Sequence, residues 1–328
     1  MWATSRSYLR SATLRHEVEN LGTRLGELKP KTKPPATSRV LAQWIEKAQE
    51  TLGERGQRLG WLVASTLVSA ALQRVVDGSG TPSFLLKGGT LLQYRLPAPS
   101  RTTKDVDGLI RGDIDEFLAR LDESFAEPLG PFALERGEVA IIPVPNRIVK
   151  PRRFYVLLKM RGQTWRRIQV EIAANEGGAG NDPEKIPAPT LKGFGLQSAP
   201  DIFSLAMNYQ IAQKIHAVTD PHDPPQFIND RARDIVDLVL LRNLVKETGA
   251  PTDTQILAAV LDVFRVRKIE SEAMGTPTRQ WPTRVVAHAH WKESYAAAAQ
   301  ATELELSMDE AVTQLNEWLD SVENAIQT

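Results

Sequence analysis

The sequence predicts an α+β protein, with a mixed α/β N-terminal half and a helical C-terminal half. Three observations carry that expectation. Runs such as "FLLK" (84–87), "DVDGLI" (105–110) and "RRIQVEIAA" (166–174) are short, apolar or β-branched, and bounded by turn residues, as strands are. Beyond residue 201, five successive segments space their apolar residues at the helical period. The 328 residues suit one large or two modest domains, and no internal repeat is present.

Taken in order, "KPKTKPPATSR" (29–39) is Pro-rich and basic, which predicts an extended arm or linker. The expected organisation is an arm and linker over 1–38, an α/β domain over 39–180, and a helical domain over 195–328. "VLAQWIEKAQETLGE" (40–54) reads as a helix, followed by a long apolar helix from about Leu59 to Val76. "DGSGTPS" breaks the chain before "FLLK", and "TLLQYRL" reads as one to two helical turns starting at or near Thr90. "LPAPSRTTK" is a loop, "DVDGLI" a strand, and "IDEFLARLDESF" a helix capped by Asp113. "FALER", "EVAIIPV", "RFYVLLKM" and "RRIQVEIAA" follow as strands, the last two joined by the turn "RGQT". A long polar stretch over 175–201 is expected to be irregular. Helices are then predicted over 202–218, 230–247, 252–266, 283–299 and 307–326.

Composition narrows the function classes. Hydrophobic content of 42% and charged content of 24% are those of an ordinary folded chain. No window reaches the apolar length of a membrane span, so no membrane partner is expected. There is no cysteine, which removes disulfides, thiolate metal sites and cysteine nucleophiles. The N-terminus is rich in Arg and Ser, but Glu17, Glu19 and the lack of an apolar signal core argue against export, so a cytoplasmic protein is expected. Net charge is zero, yet no acidic residue lies between Glu138 and Glu171. Arg147, Lys150, Arg152, Arg153, Lys159, Arg161, Arg166 and Arg167 accumulate there.

The chemistry concentrates in "LLKGGTLLQYRLPAPSRTTKDVD" (85–107). A glycine pair between strand and helix lets backbone N–H groups approach an anion, and the helix dipole behind them favours it. Thr90 can add a hydroxyl. Alone, "KGGT" is more plainly an ordinary strand-to-helix turn. The Walker pattern is absent, and "GFGLQS" lacks the last glycine of a dinucleotide fingerprint. Asp105 and Asp107 sit two apart on a strand and so face one side, roughly 6.5 Å apart. Two such carboxylates repel unless a cation lies between them, and their hard oxygens suit Mg²⁺. Glu171, flanked by Val170 and Ile172, offers a third carboxylate, although a charge on the wet face of a two-sided sheet is the plainer reading. Asp230, Asp234 and Asp237 are spaced to share one helical face. Lys214 is open between a phosphate ligand and a structural ion pair.

This segment resembles the first motif of the nucleotidyltransferases of the DNA polymerase β type. More closely, Lys87, Gly88, Gly89, Thr90, Arg101, Thr103, Asp105 and Asp107 resemble the AbiEii/AbiGii (MenT-like) toxin branch, K-G-G-T followed by R-x-S-x-D-I-D. Thr103 replaces the usual Ser and Val106 the usual Ile. "IAQKIHAV" is similar to the helix bearing the family's lysine, which falls on Lys214. "NDRARDIVDLVLL" is similar to its R-x-x-D helix, with Arg233, Asp234 and Asp237 on the matching positions.

The resemblance implies a polymerase-β-like domain whose active site the helical domain completes. It implies a toxin transferring a nucleotide from an NTP, in some members to the 3′ end of tRNA, so that aminoacylation and translation stop. Asp105, Asp107 and Glu171 would hold two Mg²⁺ ions. Lys87, Gly88, Gly89, Thr90, Arg101 and Lys214 would hold the nucleotide, with Asp234 and Asp237 placing Lys214. A cognate AbiEi-like antitoxin is the implied protein partner. The basic segment, from Arg147 and Lys150 through Arg152, Arg153, Arg161, Arg166 and Arg167, then suits an RNA backbone, with Phe154, Tyr155 and Trp165 for base stacking. A solvated hairpin is the plainer reading of that segment. A small-molecule nucleotidyltransferase and a silent module of the same fold are the competing functions.

Overall fold

The computed structural model describes residues 21–54, 56–96, 103–144, 147–199 and 201–326. The expected loop residue Arg101 and the Arg/Ser-rich N-terminus lie outside the described residues. The chain runs from a short helix α1 (Leu21–Arg24) into α2 (Ser38–Leu52) and the apolar α3 (Arg58–Leu72). Next come β1 (Phe84–Lys87), α4 (Gly88–Arg95), β2 (Asp105–Ile110) and α5 (Ile114–Phe125). Four strands follow: β3 (Ala133–Arg136), β4 (Ala140–Ile141), β5 (Arg152–Met160) and β6 (Gln163–Ala174). β7 (Glu184–Pro187) and β8 (Asp201–Ser204) precede α6 (Met207–Val218), α7 (Ala232–Thr248) and α8 (Asp253–Met274). α9 (Lys292–Ala301) and α10 (Met308–Glu323) complete the helical half.

The strands form one eight-stranded mixed sheet in the order β3-β5-β6-β2-β1-β8-β7, with β4 also paired to β5, at its Arg152–Arg153 end. β2 is the pivot, antiparallel to β1 and parallel to β6. The hairpin between β5 and β6 turns where expected, at Arg161 (φ 48) and Gly162 (φ 79). Two successive positive φ values give the backbone twist that tight hairpins need. α5 starts at the expected cap, Asp113, whose carboxylate accepts from the N–H groups of Asp115 and Glu116 at 2.9 Å.

Side-chain alternation gives the sheet two unlike faces. Val106, Phe154, Val156, Val170 and Ile172 are buried in the first core, where α3 and α5 also lie. Gly108 belongs to the close packing there, since a Cβ on it would stand 1.9 Å from the Phe84 ring. Asp105, Asp107, Gln169 and Glu171 occupy the alternate positions and face the other way. A second core gathers α6 to α10, and Leu92 of α4 and Leu96 just after it belong to it while Leu91 and Tyr94 belong to the first. α4 is therefore shared by both cores, which fixes the glycines that begin it at their junction.

Several elements differ from the sequence expectation. α4 begins at Gly88 rather than Thr90, and α3 ends at Leu72, short of Val76. The 175–201 stretch is not wholly irregular, because β7 and the start of β8 form its edge of the sheet. β8 takes the residues 202–204 that were expected to begin a helix, and pairs in parallel with β1. A segment this short fits strand and helix equally, and the sheet edge decides. "EVAIIPV" contributes only the two residues of β4. Residues 283–288 have no regular structure, and the α-helix begins only at Lys292. Asp230 precedes α7 and is exposed, so the shared acidic face consists of Asp234 and Asp237 alone. The Pro-rich segment is pinned: Lys31 N–H donates to the Lys192 carbonyl at 2.9 Å, and Gly195 (φ +62) lies against the Lys33 carbonyl. Among the described residues, no helix is long and apolar enough to cross a membrane.

Candidate active site

Strand register builds the site. Lys87 pairs with Asp107, Asp107 with Glu171, and Glu171 with Arg153, across β1, β2, β6 and β5. Two residues back along β2, Asp105 pairs with Gln169 and Gln169 with Tyr155, at positions facing the same side. The result is a row in which two adjacent acids lie between two cations, Lys87–Asp107–Glu171–Arg153, flanked by a second row, Asp105–Gln169–Tyr155.

Gly88 closes over this row. Its φ is +67, and a Cβ would meet Asp107 Oδ2 at 2.0 Å. Conformation and space both demand glycine, and the carboxylate consequently lies against the first turn of α4, where the helix dipole favours negative charge. Gly88→Ala is expected to cost about 1–3 kcal/mol in urea denaturation, the usual strain of a left-handed residue, and to displace Asp107. A fully stable variant would mean the turn relaxes without cost.

Two threonines support the aspartates. Thr103 Oγ1 donates to Asp105 Oδ1 at 2.9 Å, so the departure from serine keeps the hydroxyl that orients this carboxylate. Thr90, fully buried, donates its hydroxyl to the Asp105 carbonyl at 2.9 Å, tying α4 to β2 rather than facing an anion. Gln210 on α6 reaches the Gly88 carbonyl at 3.4 Å.

The electrostatics of the row are unbalanced. Burial, reinforced by the Asp105 and Glu171 charges, pushes the Asp107 carboxyl up to about 6, against the pull of Lys87 and Lys214. Lys87 is itself pushed below the ordinary lysine value by burial, with Asp107 and Glu176 opposing that change. Among the described residues its ammonium has no hydrogen-bond or ion-pair partner. It lines a cavity of about 210 Å³ with Arg147, Arg231, Arg267, Gln213 and Glu176.

Lys214 on α6 donates to Asp234 Oδ1 at 2.6 Å and Asp237 Oδ2 at 2.7 Å, the two carboxylates three residues apart on α7. Burial depresses this lysine, but the two aspartates outweigh it and hold it above its ordinary value. The triad is an ion pair network, and its positive charge also reaches Asp107.

The basic segment is distributed rather than gathered. Arg147 is buried between Glu176 at 3.1 Å and Glu270 at 3.2 Å. Lys150 donates to the Val144 carbonyl at 2.7 Å, Arg152 points toward Asp115, and Arg166 bonds Gln57 at 2.8 Å. Arg161 forms the hairpin tip. Only Arg153 and Arg167 join the acidic face, Arg153 against Glu171 and Arg167 stacked 3.5 Å from the Tyr155 ring centroid. Phe154 is buried, and Trp165 packs against Phe132. The role of Glu176, which gathers Arg147, Arg267 and Gln213, carries no sequence signal because its partners come from distant elements.

Asp105, Asp107 and Glu171 supply hard oxygen donors on one face, and the raised Asp107 carboxyl reflects like charges that a cation would relieve. That donor set fits Mg²⁺. Among the described residues no three acidic or histidine side chains already close around a metal-sized centre.

A glycine-covered aspartate pair on a mixed sheet, with a lysine delivered by the neighbouring helices, is an arrangement that can hold a metal-bound nucleotide. Comparison with family models agrees, since residues 70–321 match the model described as nucleotidyl transferase AbiEii toxin, type IV toxin–antitoxin system. The chain belongs to the AbiEii nucleotidyltransferase toxin family. Among solved structures it is similar to MenT4, the nucleotidyltransferase toxin Rv2826c of Mycobacterium tuberculosis H37Rv. The identity is 18% and the TM-score 0.48, covering 87% of this chain and 99% of that chain. Comparison with curated proteins gave no match. The protein is thus a toxin–antitoxin nucleotidyltransferase, an enzyme acting on an NTP.

Proposed function

We propose that the protein transfers a nucleotide from an NTP to the 3′ end of tRNA in a Mg²⁺-dependent reaction, blocking aminoacylation and translation in the cytoplasm. The observation that carries this reading is the like-charged trio of Asp105, Asp107 and Glu171 on one face, with Asp107 pushed up to about 6. Bound there, two Mg²⁺ ions would stabilise charge on the attacked α-phosphate and the departing pyrophosphate.

The chain's own residues do the rest. Asp105, oriented by Thr103, and Asp107, backed by Gly88, hold the metal side of the site. Backbone N–H groups at Gly88 and Gly89 take phosphate oxygens at the start of α4. Lys87, desolvated and with no ion pair among the described residues, neutralises the same phosphates. Lys214 spends two of its three donors on Asp234 and Asp237 and keeps one for the triphosphate. Glu171, through the carboxylate oxygen that would also face the acceptor-side cation, takes the proton from the acceptor 3′-hydroxyl as the hydroxyl oxygen attacks the α-phosphorus and the bond to the β-phosphate breaks. Tyr155 with Arg167 gives the acidic face a stacking surface suited to an unpaired terminal base. An AbiEi-like antitoxin is the proposed protein partner.

The test is transfer of each α-³²P-labelled NTP to total tRNA with Mg²⁺, beside an Asp105→Ala control. Label on tRNA that vanishes in the control is the expected result and names the nucleotide. No label from any NTP on tRNA would exclude tRNA as acceptor.

A further inference from the structure

Glu171 is held by more than its place on β6. Arg153 Nε at 2.8 Å and Gln169 Nε2 at 3.1 Å donate to one oxygen, Oε1, and Arg153 Nη2 lies 2.7 Å from the same oxygen as its ion pair. Among the described residues, Oε2 accepts no hydrogen bond. Gln169 is oriented in turn, because the Tyr155 hydroxyl donates to its Oε1 at 3.1 Å. That contact turns the amide's NH₂ end toward the carboxylate; a flipped amide would present oxygen to oxygen. The Arg167 guanidinium lies over the Tyr155 ring and holds the ring in place. The pairing register makes this a compact block, with Tyr155 directly across from Gln169 and Arg153 directly across from Glu171.

We propose that Arg153, Gln169 and Tyr155 are positioning residues that lock Glu171 by Oε1 and leave Oε2 for a divalent cation shared with Asp107. The inference rests on the metal-site reading above. It gives Arg153 and Tyr155 a task apart from contacting RNA. Carboxylates that ligate metals are themselves held by hydrogen bonds, and loss of such a partner weakens metal affinity or activity by roughly 10–100-fold. Arg153 is partly exposed, so its ion pair adds little to stability, and removing it should leave the fold intact.

The experiment uses the full chain and Mn²⁺ as the probe, titrated by electron paramagnetic resonance without NTP or RNA, alongside steady-state transfer. Tyr155→Phe and Gln169→Met are each expected to weaken Mn²⁺ binding about 10-fold and to lower kcat similarly, with KM for NTP and RNA unchanged. Arg153→Lys, which keeps one donor, should recover part of what Arg153→Met loses. Wild-type Mn²⁺ affinity in both Tyr155→Phe and Gln169→Met overturns the proposal, as does a loss confined to KM for RNA. Because the titration needs no turnover, a wild-type protein that binds Mn²⁺ but labels no tRNA would sink the tRNA reading while the positioning test still stands. A wild-type protein that binds no Mn²⁺ overturns the positioning proposal together with the metal-site reading it rests on.

Discussion

Asp107→Asn should abolish nucleotide transfer and, at neutral pH without divalent metal, make the protein more stable. Burial and the charges of Asp105 and Glu171 raise this carboxyl from its ordinary 3.8 to about 6, against the opposing pull of Lys87 and Lys214. A raised carboxyl binds its proton more tightly in the folded than in the unfolded state. Below about pH 4 both states carry the proton and the group contributes nothing. As pH rises toward 6 the unfolded chain loses its proton first, so stability falls. Above about 6 the whole cost is present, on the order of 3 kcal/mol. Asparagine keeps the shape without the charge. Urea denaturation at about pH 8 in chelator should therefore show the variant more stable by about 1–3 kcal/mol, with little difference near pH 4. Mg²⁺ should narrow the gap at the higher pH by stabilising the wild type. A variant no more stable than wild type there would mean that the carboxylates do not strain the empty site.

Lys214→Met should be the most destabilising single change at this junction. The lysine neutralises Asp234 and Asp237, both buried, at 2.6 and 2.7 Å. Deleting one partner of a buried pair leaves uncompensated charge and costs about 3–5 kcal/mol, whereas replacing a whole network with apolar side chains is often neutral. The expected result in urea denaturation is a loss of that size for Lys214→Met, with much of it recovered when Asp234→Asn and Asp237→Leu are added. Transfer activity should stay lost in the triple variant, because the charge that α6 brings to the nucleotide is gone. Recovery of activity with stability would make Lys214 structural only. A loss under about 1 kcal/mol for Lys214→Met would remove its structural role.

Much of the site was legible before the fold was known, for local reasons. The glycines of "KGGT" and the alternation of "DVD" are set by neighbouring residues, because period two and positive φ are properties of a few consecutive positions. Asp113 as a helix cap and "RGQT" as a hairpin turn were readable for the same reason. What escaped depends on distant partners. β8 hid at the front of a helical run, and its identity as a strand comes from lying beside β1. β7 ends in Pro187 and carries Glu184 and Lys185, residues that strands tolerate at a sheet edge. Arg147 looked like one more cation of a basic stretch, but Glu176 and Glu270 draw it into the interior.

Glu171 marks the division most sharply. The sequence by itself determined that the chain carries a glycine turn, an aspartate pair and a lone glutamate within an apolar strand, together with a lysine and two aspartates on later helices. Only the tertiary structure decided that the glutamate stands beside Asp107, that its Oε1 is taken by Arg153 and Gln169, and that Lys214 is clamped by Asp234 and Asp237. The physical reason is range. Propensity, periodicity and turn chemistry act over a few residues and are written there. Strand register, the burial of a charge and the choice of its partner are settled only when segments far apart in the chain exclude water from one another.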